Sequence, residues 1–296
     1  MNEQDLKHGV IRRNPIVKIV QKLWRQANGQ KIGKAATPFD WVKGFDIRDI
    51  IGSINGKDQG KNYSCGRQAA AYFVYIQERL RGVIEGEISA KGGYGVYCAI
   101  GGGMSVTSLM TDVGAWGAVL EATVPSYDAY GKPLPEFMME DTSYLSDALR
   151  QDATTRAGYT PFDIAEDFET SAQTIQNYGA IIVELQGTDN GTWLSAFPQI
   201  TSIGKPKWYH YMCFCIAKTI NNKRYLGALT SWGKGVGENG IQYFGEEWFT
   251  NKRVIDCFTF IHDSQVQPIP TATPTIWQAL AIWFRSIWLS KAVKTT

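Results

Sequence analysis

The sequence predicts an α+β fold of two lobes, in which a mostly helical lobe is followed by a β-rich lobe. In the first half of the chain, the apolar run from Ala69 to Ile76 is typical of a buried helix. In the second half, the segment 180–185 is short and β-branched, and the segments 211–218 and 224–229 have the pattern of further strands. The groove between two such lobes is a usual place for a substrate.

The helical lobe is expected to extend from residue 42 to about residue 125. Its first helix begins at Cys65 and reaches about Arg81, a glycine-rich loop follows from Lys91 to Gly103, and a second helix lies around 106–113. The glycines of that loop lack the Lys-Ser/Thr ending and the preceding strand of a phosphate-binding loop. A nucleotide site is therefore not favoured.

Size, charge and metal-ligand spacing exclude several classes of function. The chain has 296 residues, 44% of them hydrophobic, which is enough for one domain of about 220 residues with extensions. Because 30 Lys and Arg face 28 Asp and Glu, the net charge is only +2, and no nucleic-acid partner is expected. No metal or other cofactor is expected. His210 with Cys213 and Cys215 would be an incomplete zinc set, since on a strand His210 points away from both cysteines.

The N-terminus and the cysteines favour a reducing compartment. Residues 1–5 are polar, and no apolar segment of a secretory signal peptide follows them. The chain has five cysteines, an odd number. Four of them are expected to be buried small hydrophobes, namely Cys98, Cys213, Cys215 and Cys257. A cytoplasmic location follows.

The fifth cysteine, Cys65, has the setting of a nucleophile. It stands at the start of the predicted first helix, where the helix dipole and backbone N–H groups favour a thiolate. Gln59 lies six residues upstream and can direct its amide at an oxygen near the sulfur. About 145 residues later, His210 opens a strand-like run, and the segment Thr230-Ser-Trp-Gly-Lys-Gly-Val-Gly-Glu-Asn-Gly240 follows.

In this order and spacing, the chain resembles the papain-like cysteine peptidases. Their pattern is a Gln-Gly segment, a Ser-Cys at a helix start, a distant His, and an Asn-Ser-Trp-Gly segment followed by Gly-Glu-Asn-Gly. The segment 45–49 is similar to the start of the mature enzymes, and 102–104 to the paired glycines that line their groove. The resemblance covers residues 42 to 262 and implies the two-lobed papain-like fold.

The resemblance implies a role for each matched residue in peptide hydrolysis. Cys65 would be the nucleophile, His210 the general acid and base, and Gln59 an oxyanion donor. Thr230, where the family has Asn, would orient the imidazole. A peptide or protein substrate would be bound by Gly102, Gly103, Tyr209, Tyr211 and Trp232.

Departures from the family pattern leave two alternatives open. Thr230 is shorter than Asn, Gly66 replaces a large aromatic residue and so opens the groove wall, and Tyr209 and Tyr211 narrow the pocket. These changes suit a catalytically impaired pseudopeptidase that acts as a binding or structural module. A cell-wall peptide amidase or transpeptidase on the same fold is the second alternative. Asn62 stands where the family has a disulfide partner, so that bridge cannot form.

Both flanks of the peptidase-like region carry segments of their own. Residues 1–41 include an amphipathic stretch at 16–24, shorter than a family propeptide, and residues 263–275 form a Pro/Thr linker. Residues 276–294 predict a Trp-rich helix that docks on its own domain, a protein partner, a second copy or a membrane surface. The absence of a family-type propeptide and of an export signal suits a bacterial or phage protein, including one carried in a virion.

Overall fold

The computed structural model describes residues 23, 25, 30–83, 86–99, 102–187, 191–200 and 207–264. The predicted Trp-rich helix lies outside these residues, as do nearly all of the amphipathic stretch and of the linker. Elements are numbered here over the described part. The α-helices are α1 Arg48–Ile51, α2 Cys65–Leu80, α3 Lys91–Tyr97, α4 Val106–Thr111, α5 Glu136–Glu140, α6 Asp147–Thr154, α7 Phe168–Tyr178 and α8 Glu247–Thr250, and a π-helix, Asp112–Trp116, directly follows α4. The strands are β1 Lys31–Ile32, β2 Phe45–Asp46, β3 Tyr159–Ile164, β4 Ile181–Gly187, β5 Trp208–Ile220, β6 Lys223–Leu229, β7 Ile241–Gly245 and β8 Val254–His262.

The strands form one sheet in the order β1-β3-β8-β4-β5-β6-β7, and β2 pairs separately with β5. All pairs are antiparallel except β1 with β3. Both faces of β5 are covered, because Tyr211 and Cys213 belong to one hydrophobic core and Met212 and Phe214 to another. β5 is therefore a nearly continuous buried strand.

The helix α2 packs against the sheet. Ala69, Tyr72 and Phe73 of α2 are buried in the same core as Cys213 of β5. The second core lies on the other face of the sheet and includes Phe168 of α7. Because α2 packs on β5, the start of the first predicted helix is brought to the strand that carries His210.

The predicted helix from Cys65 and the predicted strands are present, but the glycine-rich loop was predicted wrongly. Residues Lys91–Tyr97 form α3. A Cβ on Gly92 would lie 2.0 Å from Val119 Cγ2, and one on Gly93 would lie 2.2 Å from Asp112 Oδ1. These glycines therefore allow a helix to pack closely against its neighbours, and the cost of glycine in a helix is outweighed by that packing.

The N-terminal extension contributes to the β-rich lobe. β1 pairs with β3, and the guanidinium of Arg25 lies 2.8 Å from the carboxylate of Asp163, both side chains being buried. Phe39 is buried in the second core. No disulfide joins the five cysteines, all of which are described, and Cys98 is half-buried where full burial was expected. Among the described helices, none is both long and apolar enough to cross a membrane.

Candidate active site

Cys65 is the first residue of α2, as predicted, and is fully buried. Ser64 precedes it without making a side-chain cap. Its hydroxyl donates to Asn62 Oδ1 at 2.6 Å and accepts from Gln68 Nε2 at 3.1 Å. The first N–H groups of a helix lack partners within the helix, so the sulfur lies at its positive end.

Gln59 is held by a short pairing between the loop before Cys65 and the segment after Thr230. Asp58 and Trp232 form an antiparallel bridge, which places Gln59 opposite Ser231. The Gln59 N–H donates to the Ser231 carbonyl at 2.7 Å, and the Ser231 hydroxyl donates to Gln59 Oε1 at 2.6 Å. Gln59 Nε2 donates to the Asn62 carbonyl at 2.8 Å.

His210 lies on β5 and is also fully buried. Its ring stacks on Trp232 with centroids 4.3 Å apart and an interplanar angle of 13°, and Trp193 meets it edge-on at 5.8 Å. Nε2 lies 3.4 Å from the hydroxyl of Ser231. The stacked indole and the edge-on indole together fix the plane of the imidazole.

Thr230 lies beside this group, but its hydroxyl is directed along its own chain. Thr230 Oγ1 accepts from the Trp232 N–H at 3.3 Å, and the Thr230 carbonyl accepts from Tyr72 at 2.9 Å. The hydroxyl that the structure brings to His210 is that of Ser231. Sequence reasoning missed Ser231 because this residue comes to lie opposite Gln59 only when two segments 172 residues apart pair with each other.

Tyr211 lies between the start of α2 and the buried carboxylate of Glu184. A Cβ on Gly66 would lie 3.3 Å from Tyr211 and 3.3 Å from Met104, so these side chains fill the space that was expected to open beside Gly66. The Tyr211 hydroxyl donates to Glu184 at 3.3 Å, and Glu184 is the register partner of Asp256 on β8. Burial raises the pKa of Tyr211 well above its ordinary value, and negative charge on its neighbours adds to the effect.

The paired glycines of the predicted groove are buried and already engaged. Gly103 N–H donates to the Tyr94 hydroxyl at 2.6 Å, and its carbonyl accepts from Ala99 at 3.0 Å. Gly102 has φ +94°, and a Cβ there would lie 2.5 Å from Glu136 Oε1. The close approach of the Glu136 carboxylate therefore requires glycine at position 102, whether or not a substrate binds there.

The remaining predicted substrate-binding residues differ in exposure. Trp232 is 2% exposed and Tyr211 is 1% exposed, whereas Tyr209 is half-buried. The structure thus brings Gln59, His210 and Trp232 together around Ser231. Tyr211 of β5 lies beside Gly66, the residue that follows Cys65. Among the described residues, no group of three His, Cys, Asp or Glu side chains could hold a metal ion.

No protein-family model matches the chain, and no curated protein matches its sequence. Solved structures do match. Xylellain, a cysteine protease from Xylella fastidiosa, superimposes with a TM-score of 0.66 at 14% identity, over 87% of this chain and 97% of that one. Procathepsin L2 proteinase from the larval midgut of Tenebrio molitor gives 0.64 at 17% identity, over 87% and 78%. Bromelain from Ananas comosus, in complex with the E64 inhibitor, gives 0.54 at 17% identity, over 74% and 98%. At these identities the likeness concerns the fold, and the predicted papain-like α+β fold is confirmed.

Proposed function

We propose that the protein is a cysteine-type peptidase that hydrolyses peptide bonds through Cys65 and His210. The observation that carries this proposal is the shared serine: Gln59 and His210 both meet the hydroxyl of Ser231. Ser231 thereby joins an amide to an imidazole, and Gln59 Nε2 in turn donates to the carbonyl of Asn62, three residues before Cys65. On a papain-like fold this combination suits acyl transfer.

The chemistry follows from the character of each group. The helix N-terminus and an imidazolium favour a thiolate at Cys65, which attacks the carbonyl carbon of a peptide bond. The Cys65 N–H and the side-chain amide of Gln59 would stabilise the resulting oxyanion. His210 then gives its proton to the leaving amine and afterwards takes one from the water that releases the acyl group.

Full burial of Cys65 and His210 bears directly on how the site would work. A substrate reaches the sulfur only after the side chains that cover it move aside. The pseudopeptidase alternative has an inert thiol at the same buried position. The two functions differ in one measurable property, the reactivity of Cys65.

The test is covalent labelling by a thiol-directed epoxide probe at neutral pH. We expect labelling that Cys65→Ala abolishes and that Cys98→Ala leaves unchanged. Cys98 is a suitable control because burial raises the pKa of its thiol to about 11, so it stays protonated. Undiminished labelling of Cys65→Ala would refute the assignment of the nucleophile, and a wild-type protein that resists the probe under all conditions would support the binding module.

A further inference from the structure

We propose that Ser231 is the positioning residue for His210 and that it couples this base to the oxyanion donor Gln59. The inference rests on the proposed peptidase function and concerns the same site. It assigns to Ser231 the orienting role that the resemblance implied for Thr230.

The direction of the hydrogen bonds follows from the chemistry of the acceptors. Gln59 Oε1 is a carbonyl oxygen and can only accept, so the hydroxyl proton of Ser231 is directed at it, 2.6 Å away. The contact between Ser231 Oγ and His210 Nε2 at 3.4 Å must then use a lone pair of the serine. Nε2 therefore carries the hydrogen, and Nδ1 is left as the basic nitrogen.

The chain continues from Gln59 to the loop before the nucleophile. Gln59 Nε2 donates to the Asn62 carbonyl at 2.8 Å, three residues before Cys65. All donors in this chain point the same way, from imidazole to serine to amide to backbone, and hydrogen bonds in such a series polarise one another. When His210 is protonated, its bond to Ser231 becomes charge-assisted and shortens. The positive charge on the base is thereby felt at the amide that would hold the oxyanion.

Ser231 is fixed well enough for this role. Its side chain is almost fully buried, and its carbonyl accepts from the Gln59 N–H at 2.7 Å. The preceding residue is held on both sides, because the Thr230 N–H donates to the Gly240 carbonyl at 2.9 Å and the Thr230 carbonyl accepts from Tyr72. A serine whose backbone is held in this way can constrain a mobile imidazole.

The test compares Ser231→Ala, Ser231→Thr and Thr230→Val in the full chain. The readouts are kcat/KM on a peptide substrate and the rate of Cys65 alkylation from pH 4 to pH 10. In Ser231→Ala we expect kcat/KM to fall at least about tenfold. In this variant the His210 imidazolium loses its hydrogen-bond acceptor, the Ser231 hydroxyl. The pH range over which Cys65 is alkylated rapidly should therefore shrink at both its acid and its alkaline limit. Ser231→Thr keeps the hydroxyl and should recover most of the loss, Thr230→Val should keep the wild-type pH range, and the remote, exposed Ser143→Ala should match wild type throughout.

The outcomes separate the two proposals. If Ser231→Ala keeps the wild-type pH range of alkylation, or if Thr230→Val narrows that range instead, the proposed role of Ser231 is overturned. Neither outcome overturns the peptidase function. Wild-type Cys65 that alkylates like an ordinary thiol overturns the peptidase function and this inference with it. If Ser231→Ala does not fold, nitrogen NMR of the wild type still decides, at a pH high enough for His210 to be neutral. There the Nε2–H tautomer supports the proposal, and the Nδ1–H tautomer refutes it.

Discussion

The guanidinium of Arg67 donates to the carboxylate of Asp112 at 2.6 Å, and both side chains are fully buried. Arg67 lies on α2, two residues after Cys65. Arg67 Nε and Asp112 Oδ1 have no hydrogen-bond partner among the described residues. Gly93 makes the space for the pair, since a Cβ there would lie 2.7 Å from the guanidinium carbon. A buried ion pair that is incompletely satisfied is strongly destabilised by loss of one partner but adds little as a pair.

We expect Arg67→Met and Asp112→Leu to lower the free energy of unfolding by about 3–5 kcal/mol each, because each leaves one uncompensated buried charge. The double variant Arg67→Met/Asp112→Leu should recover most of that loss. Urea denaturation of the four proteins gives the double-mutant cycle. Additive losses in the double variant would mean that the two side chains act independently.

The same pair predicts a pH dependence of stability. Burial raises the pKa of Asp112 from its ordinary value of 3.8 to about 6, although Arg67 acts in the opposite direction. Between these values the folded protein keeps a proton that the unfolded chain releases. The stabilisation that this proton gives to the folded state is fully present below pH 3.8 and is lost as the pH rises through about 6.

Lowering the pH from 7 to 5 should therefore stabilise the wild type relative to Arg67→Met/Asp112→Leu, which lacks the titrating group. We expect a relative gain of about 1 kcal/mol in the free energy of unfolding. The measurement is urea denaturation of both proteins at the two pH values. A difference that does not change with pH, or one that changes in the opposite direction, would contradict the raised pKa.

Gly102→Ala tests whether Glu136 and Tyr63 determine the glycine at this position. The substitution meets two costs, a φ of +94° and a Cβ 2.5 Å from Glu136 Oε1. Gly131→Ala is a matched control, because Gly131 has φ +74° and nothing within 4 Å of its added Cβ. Backbone strain of this kind costs about 1–3 kcal/mol.

Thermal unfolding should show that Gly102→Ala is the more destabilised of the two variants, since only it adds a steric contact to the strain. If the two variants lose equal thermal stability, the contact with Glu136 is not the reason that glycine stands at position 102. Glu136→Ala added to Gly102→Ala should relieve part of the extra cost.

Local patterns in the sequence predict some features of this molecule and miss others. The helix at Cys65 and the strand at His210 follow from local patterns, because burial and period are visible in neighbouring residues. The burial of Gly102 against Glu136 and the placement of Ser231 opposite Gln59 do not follow from such patterns. Both depend on contacts between distant segments, and neither residue type signals its partner. The predicted roles of Cys65, His210, Gln59 and Thr230 stay predictions for the experiments above.

Tyr72 provides the last prediction, because one hydroxyl links α2 to both segments that meet at Ser231. It accepts from the Lys57 N–H and donates to the Thr230 carbonyl at 2.9 Å. Tyr72→Phe keeps the ring but leaves these two buried backbone groups without the hydroxyl, at a cost of about 1–3 kcal/mol. Because Lys57 and Thr230 adjoin the bridge between Gln59 and Ser231, kcat/KM should fall together with stability. Tyr130→Phe, at an 88% exposed position, should change neither quantity. A Tyr72→Phe variant that loses stability but keeps wild-type kinetics would show that the hydroxyl supports the fold and not the geometry of the site.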